Sequence, residues 1–250
     1  YRVNWLVVSF YTANTGYEKE VKKLEASLKA LNLEYHLFPC EPEGSWRKNL
    51  DHKSRVILEA FNMFPDKDIV FIDADGIVRQ YPVLFDELSR DRAHDIAAHF
   101  HPYKGTNING GSLLSGTLWF QNSDRGKGLV SEWDKIGRNH PTVRHQHCLR
   151  LAINELNRKG VGIKVYRMPR EYTLIFDYYK GKNKPNPVIE HFQASRKLRR
   201  QVGYGQGLLN SSFTTLEEKK RMDQRVIIVK REVAKRRGML TTQDVRSRRG

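Results

Sequence analysis

Ile69-Val70-Phe71-Ile72-Asp73-Ala74-Asp75-Gly76 runs from four apolar residues into two carboxylates and a glycine. A short β-branched and aromatic run of this kind reads as a buried strand. Carboxylates one residue apart at its carboxyl end, ahead of a glycine turn, lie where open α/β sheets present ligand-binding groups. Aspartate oxygens suit a hard divalent cation such as Mg²⁺ or Mn²⁺, and such a cation can neutralise a diphosphate. Asp66-Lys67-Asp68 repeats the spacing but precedes the strand, after Pro65, where it reads as a helix-to-strand turn. For Asp73 and Asp75 the plain alternative is an Asp/Gly turn that merely ends the strand.

Outward from this block, apolar runs at residues 4–10, 33–38, 96–100, 113–120, 163–166 and 188–192 are further candidate strands. Helical spacing joins Val21, Leu24, Leu28 and Leu31, then Ile57, Ala60, Phe61 and Phe64, then Leu149, Ala152, Ile153 and Leu156. Strands alternating with helices in the first half imply an α/β layered fold with a mostly parallel central sheet. Turn-rich stretches at residues 103–111 and 179–187 predict that the sheet becomes mixed in the second half.

The chain has 250 residues, 29% charged and 39% hydrophobic, which suits one large domain or one domain with an appendage. No apolar run approaches the ~20 residues of a membrane span. With no signal-peptide pattern either, a cytoplasmic location is the expectation, although an upstream targeting segment stays open. Cys40 and Cys148 are the two cysteines, too few and too far apart for a disulfide scaffold or a cysteine-rich zinc module. A formal charge of +16 points to a polyanionic partner, the alternative being a generically basic surface.

The first strand runs into a polar and aromatic loop, Ser9-Phe10-Tyr11-Thr12-Ala13-Asn14-Thr15-Gly16-Tyr17, at the same end of the sheet as the aspartates. There is no GxGxxG fingerprint and no GxxxxGK[ST] loop, so hydride transfer and P-loop phosphoryl transfer lose their usual sequence support. Thr12 and Tyr17 could instead hold a base and ribose.

Four blocks, in this order, resemble the nucleotide-diphospho-sugar transferases of the GT-A fold. They are the opening strand Trp5-Leu6-Val7-Val8-Ser9-Phe10-Tyr11-Thr12, the helix from Lys53 into Asp73-Ala74-Asp75, the segment Leu114-Ser115-Gly116-Thr117-Leu118-Trp119-Phe120-Gln121-Asn122, and Val188-Ile189-Glu190-His191-Phe192 followed by Ser195-Arg196-Lys197. The likeness spans roughly residues 3–200. It implies a Rossmann-like, mixed central sheet flanked by helices, and a glycosyltransferase taking a nucleotide-diphosphate sugar, with a UDP-sugar the expected donor. It implies Mn²⁺ or Mg²⁺ held by Asp73, Asp75 and His191, with Lys53 or Lys197 as a second positive contact to the diphosphate. Ser115 and Gly116 would lie against the donor sugar.

The family often has an Asp-Gln pair on a later helix. Here the stretch reads Arg144-His145-Gln146-His147, so Gln146 is kept and His145 stands in the acidic place. The catalytic base is left open among His145, Gln146, Asp134 and Asp95, and so is retaining or inverting chemistry. A histidine zinc site built from His99, His101, His145 and His147 is a rival, without an HExxH to support it.

After residue 213 the character changes. Residues 214–250 hold twelve Lys/Arg against five Asp/Glu and read as a basic helix and tail, with residues 1–213 as the catalytic domain. Arg196, Arg199, Arg200, Lys230, Arg231, Lys235, Arg236 and Arg237 form the expected nucleic-acid contact set. The acceptor hypothesis is a 5-hydroxymethylpyrimidine in DNA, flipped out against some of the 11 Tyr, 11 Phe and 4 Trp. Polysaccharide, lipid or protein acceptors remain alternatives. Outside the class stand a nucleotidyltransferase and a non-catalytic nucleic-acid-binding protein on a degenerate transferase fold.

Overall fold

The computed structural model describes residues 4–41, 52–101, 111–141, 143–178 and 184–194. The apolar runs become strands β1 (Trp5–Thr12), β2 (Tyr35–Cys40), β3 (Asp68–Ile72), β4 (Gly76–Val78), β5 (Ile96–His101), β6 (Ser112–Phe120), β7 (Val165–Arg167), β8 (Leu174–Ile175) and β9 (Ile189–His191). Between them lie helices α1 (Tyr17–Ala30), α2 (His52–Met63), α3 (Val83–Asp91), α4 (Asp124–Asn139) and α5 (His145–Arg158). Glu18 and Glu20 in the first turn of α1 and Lys29 in its last complement the helix dipole. The Ser123 hydroxyl caps α4 by accepting the Gly126 N–H at 3.1 Å.

Six strands form one sheet in the order β2-β1-β3-β6-β5-β7. Strand β6 runs antiparallel to β3 and β5, and the other pairs are parallel. The sheet is therefore mixed, as expected, and the carboxyl ends of β1, β3 and β5 share one edge.

Alternation along the strands explains the layers. Leu6, Val8, Ile69, Phe71, Leu118 and Phe120 pack towards α2, α4 and α5. Trp5, Val7, Val70, Ile72 and Trp119 pack towards α1 and α3. Each buried large side chain contributes roughly 1.5–3 kcal/mol. The predicted stripes on α1, α2 and α5 face these cores, with Leu31, Phe64 and Leu156 at their margins.

A smaller sheet, order β4-β9-β8, sits beyond the aspartates. Its register places Gly76 opposite His191, so the turn after β3 and the late histidine meet. Asp66 and Lys67 form the expected turn, but Asp68 opens β3 itself. Its buried carboxylate accepts the Asn122 N–H at 2.8 Å, a structural role unlike that of Asp73. Neither cysteine is in a disulfide. Among the described residues no helix is long and apolar enough to cross a membrane.

The chain divides into units Tyr1–Leu198 and Arg199–Gly250, the second wholly outside the described residues. The expected boundary at residue 213 and the basic helix and tail of residues 214–250 lie outside them too, as do most of the turn-rich stretches.

Candidate metal and donor site

Strand β3 ends at Ile72, and the chain turns with Asp73 O accepting the Gly76 N–H at 2.8 Å. The Asp73 N–H donates to Gly116 O of β6, also at 2.8 Å, which fixes the aspartate block against the neighbouring strand. Asp75 is held by the chain that leaves β9. Its carbonyl accepts the Phe192 N–H at 3.1 Å and its Oδ2 accepts the Ala194 N–H at 2.8 Å. Gln193 between them adopts a left-handed conformation (φ 53°), which turns the Ala194 amide back onto Asp75.

These contacts leave Asp75 Oδ1 facing His191 Nδ1 at 3.5 Å. Asp73, Asp75 and His191 each offer a ligand atom, all within 4.8 Å of one another. Two carboxylates and one imidazole suit Mn²⁺ or Mg²⁺, with the nitrogen donor favouring Mn²⁺. The donor set therefore fits the cation that the sequence led us to expect.

Lys53 of α2 reaches the same place. Its ammonium lies 2.7 Å from Asp73 Oδ1 and donates to Ser115 O at 2.9 Å, with Ser115 Oγ at 3.4 Å. Lys53 is 2% exposed and its ammonium stands 4.9 Å from the Phe71 ring centroid. Asp73 keeps 36% of its side chain exposed, yet desolvation by the surrounding protein pushes its carboxyl above the ordinary value. Lys53 opposes that shift and the Asp75 charge adds to it. Asp75 moves the other way. Desolvation acts upward on it, but the His191 imidazole, the Ala194 amide and Lys53 together hold its carboxyl below the ordinary value.

The His191 ring occupies a slot cleared by two glycines. A Cβ on Gly116 would meet its ring atoms at 3.1–3.4 Å, and one on Gly76 would meet Ile72 Cγ2 at 2.5 Å and the ring at 3.4 Å. His191 Nε2 lies 2.8 Å from Thr117 Oγ1. Gly116 thus has a structural task beside its expected one against the donor sugar.

The other predicted residues divide by place. Thr12 is buried, its carbonyl and hydroxyl engaged by the Thr15 hydroxyl, whereas Tyr17 opens α1 half-buried at the ligand-bearing edge. Gln146 is the half-buried second residue of α5. His145 beside it is buried, with its ring 4.3 Å from that of Trp133 and its carbonyl accepting the Trp133 N–H. Desolvation, with Lys53 nearby, pushes its pKa well below the ordinary histidine value.

Asp134 accepts the Ser54 hydroxyl at 3.1 Å and pairs with Arg138 at 2.9 Å. Asp95, fully buried, pairs with Arg125 and accepts the Lys164 N–H. Both carboxylates are thereby committed to holding helices and strands together. For the rival zinc set, His99 Nδ1 faces Met168 O at 2.9 Å, and among the described residues the Asp73, Asp75 and His191 group is the one that gathers three ligating side chains. Arg196, Lys197, Arg199, Arg200, Lys230, Arg231, Lys235, Arg236 and Arg237 lie outside the described residues.

Thr117 and the Ala194 amide had no assigned role in the sequence. The signal for Thr117 was a hydroxyl next to Gly116 at the head of the apolar run Leu118-Trp119-Phe120, and backbone donors leave no trace in composition.

No family model matches the chain, and no curated protein matches it. Among solved structures it is similar to a glycosyltransferase involved in the glycosylation of the major capsid of PBCV-1. The identity is 15% and the TM-score 0.59, covering 79% of this chain and 97% of that one. A match to mouse xyloside xylosyltransferase 1 in its apo form has 11% identity and a TM-score of 0.45, covering 78% and 99%. The mixed six-stranded sheet flanked by helices, with the first of these likenesses, gives the chain a GT-A-like glycosyltransferase fold.

Proposed function

We propose that the protein is a metal-dependent glycosyltransferase that moves a sugar from a nucleotide-diphosphate sugar to a hydroxyl acceptor. The observation that carries this reading is the Asp73, Asp75 and His191 group at the ligand-bearing edge of a GT-A-like sheet, with the buried Lys53 against Asp73. A bound Mn²⁺ or Mg²⁺ supplies positive charge to the diphosphate as it leaves. Asp73, Asp75 and His191 hold that charge at the end of β3, and the backbone bonds to Asp75 fix one ligand before any donor arrives. Lys53 adds a second fixed cation, whose value rises because it is shielded from water. Ser115 Oγ, 3.4 Å from the Lys53 ammonium, is the side-chain contact we assign to the donor sugar, while the space beside Gly116 holds the His191 ring.

The acceptor we assign is a hydroxymethylated base in DNA. Its support is the +16 charge, far more than one nucleotide sugar requires. A protein or glycan acceptor is the competing outcome, in line with the neighbour involved in the glycosylation of the major capsid of PBCV-1.

The test is a nucleotide-sugar panel with Mn²⁺ or Mg²⁺, scored for nucleoside diphosphate with and without hydroxymethylated DNA, at low and high salt. Nucleoside diphosphate release that Asp73→Asn with Asp75→Asn abolishes is the expected result. Pyrophosphate release would indicate a nucleotidyltransferase. Salt-sensitive DNA binding without any turnover would indicate a non-catalytic binder. Donor hydrolysis without transfer to DNA at low salt would remove the DNA acceptor and leave the transferase reading standing.

A further inference from the structure

We infer that Thr117 is a positioning residue that assigns the two ring nitrogens of His191, reserving Nδ1 for the metal ion and Nε2 for itself. The inference rests on the metal site proposed above. Thr117 and His191 are 0% and 2% exposed, so water does not compete for either nitrogen. Thr117 Oγ1 lies 2.8 Å from Nε2, and Nδ1 is the nitrogen that faces Asp75 Oδ1, at 3.5 Å. The ring lies against Gly116, whose absent Cβ would have come within 3.1–3.4 Å of three of its atoms. Gly76, paired with His191 across β4 and β9, bounds the slot from the aspartate side.

An imidazole bound to a cation through one nitrogen carries its proton on the other, and the partner of that second N–H sets which nitrogen binds. A hydroxyl is suited to this place because it both donates and accepts. Without a cation, the Thr117 O–H can donate to Nε2 while Nδ1–H faces the Asp75 carboxylate. With Nδ1 taken by a cation, the proton resides on Nε2 and Thr117 Oγ1 accepts it. The hydroxyl rotates and no heavy atom has to move. A carboxylate at position 117 could only accept, and it would add a buried charge. The threonine therefore supports both states of the ring without biasing the charge of the site.

The test compares Thr117→Val, which keeps the shape and removes the hydroxyl, with Thr117→Ser, which restores the hydroxyl. Mn²⁺ binding is measured by electron paramagnetic resonance titration in the absence of donor, alongside thermal unfolding. We expect Thr117→Val to bind Mn²⁺ about 10- to 100-fold more weakly, and Thr117→Ser to stay within about threefold of the parent. Long-range proton–nitrogen NMR on histidine-labelled protein loaded with Mg²⁺ should show the His191 proton on Nε2. Parent-like Mn²⁺ affinity in a folded Thr117→Val, or a proton on Nδ1 in the Mg²⁺-loaded protein, would overturn the inference. If Thr117→Val does not fold, the NMR assignment of the parent protein decides. A parent protein that binds no Mn²⁺ or Mg²⁺ at all would instead overturn the proposed metal site, and the inference with it.

Discussion

Lys53 Nζ lies 2.7 Å from Asp73 Oδ1, so an ammonium already occupies one side of the carboxylate proposed to ligate a metal ion. Fixed charge of that sign opposes the arrival of a dication. Lys53→Met keeps a stem to pack against Phe71 and removes the charge. In the absence of donor, Mn²⁺ should bind Lys53→Met about tenfold more tightly, about 1.4 kcal/mol. Turnover with nucleotide sugar should fall by roughly 100-fold, because a fixed contact to the leaving diphosphate is gone. The two effects have opposite signs, and a variant that weakened both would show that Lys53 serves mainly to orient Asp73.

Gly116→Ala places a methyl group within 3.1–3.4 Å of the His191 imidazole. The ring must yield by a few tenths of an ångström, in a buried slot where overpacking typically costs about 1–3 kcal/mol. Mn²⁺ affinity should drop, with a fall in melting temperature. Gly128→Ala, inside α4 where a Cβ meets nothing within 4 Å, serves as the control and should leave metal affinity unchanged while raising the melting temperature slightly, alanine suiting a helix interior better than glycine. Unaltered metal binding in Gly116→Ala would contradict the slot geometry.

His145 is held neutral by burial, its pKa well below the ordinary 6.5. In the unfolded chain it regains that ordinary value and binds a proton more readily. Its contribution to stability is thus fully present above about pH 6.5, and it is lost as the pH falls towards the depressed folded value. Chemical denaturation at pH 7.5 and pH 5.5 should show this loss, and His145→Phe should reduce it. A pH dependence identical in parent and variant would remove His145 as its source.

Asp95→Asn should lower the melting temperature, because the buried carboxylate pairs with Arg125 and accepts the Lys164 amide. The expected cost is about 1–3 kcal/mol. Metal affinity and turnover of the folded variant should match the parent, and unchanged turnover would exclude Asp95 as the catalytic base.

Much of this arrangement was legible in the sequence because its carriers are long or local. Strands β1, β3, β5 and β6 announced themselves as apolar runs, and Asp73 and Asp75 by their place after one of them. The small sheet was not legible in full. Gly76–Val78 and Leu174–Ile175 are too short to show a period, and they exist only through pairing with β9. Helices α3 and α4 also passed unremarked, since their apolar residues are interrupted by charge and by Gly126, Gly128 and Gly137. The histidine was found by block order alone. Its nitrogen partners could not be, because Thr117 is 74 residues away in the chain. Asp134 and Asp95, open as bases on sequence grounds, differ from Asp73 only through neighbours that folding supplies.

The Phe192 and Ala194 amides that hold Asp75 belong to the last described turn of the chain, 119 residues after the carboxylate that accepts from Ala194. The large sheet takes none of its strands from that region, so it can assemble first. A polypeptide stopped ahead of Ile189 should retain the six-stranded layer and the core facing α2, α4 and α5, while losing Ile189 from the other core and the imidazole of the proposed cation site. Metal affinity would then report on the docking of β9 against β4, the last pairing among the described residues.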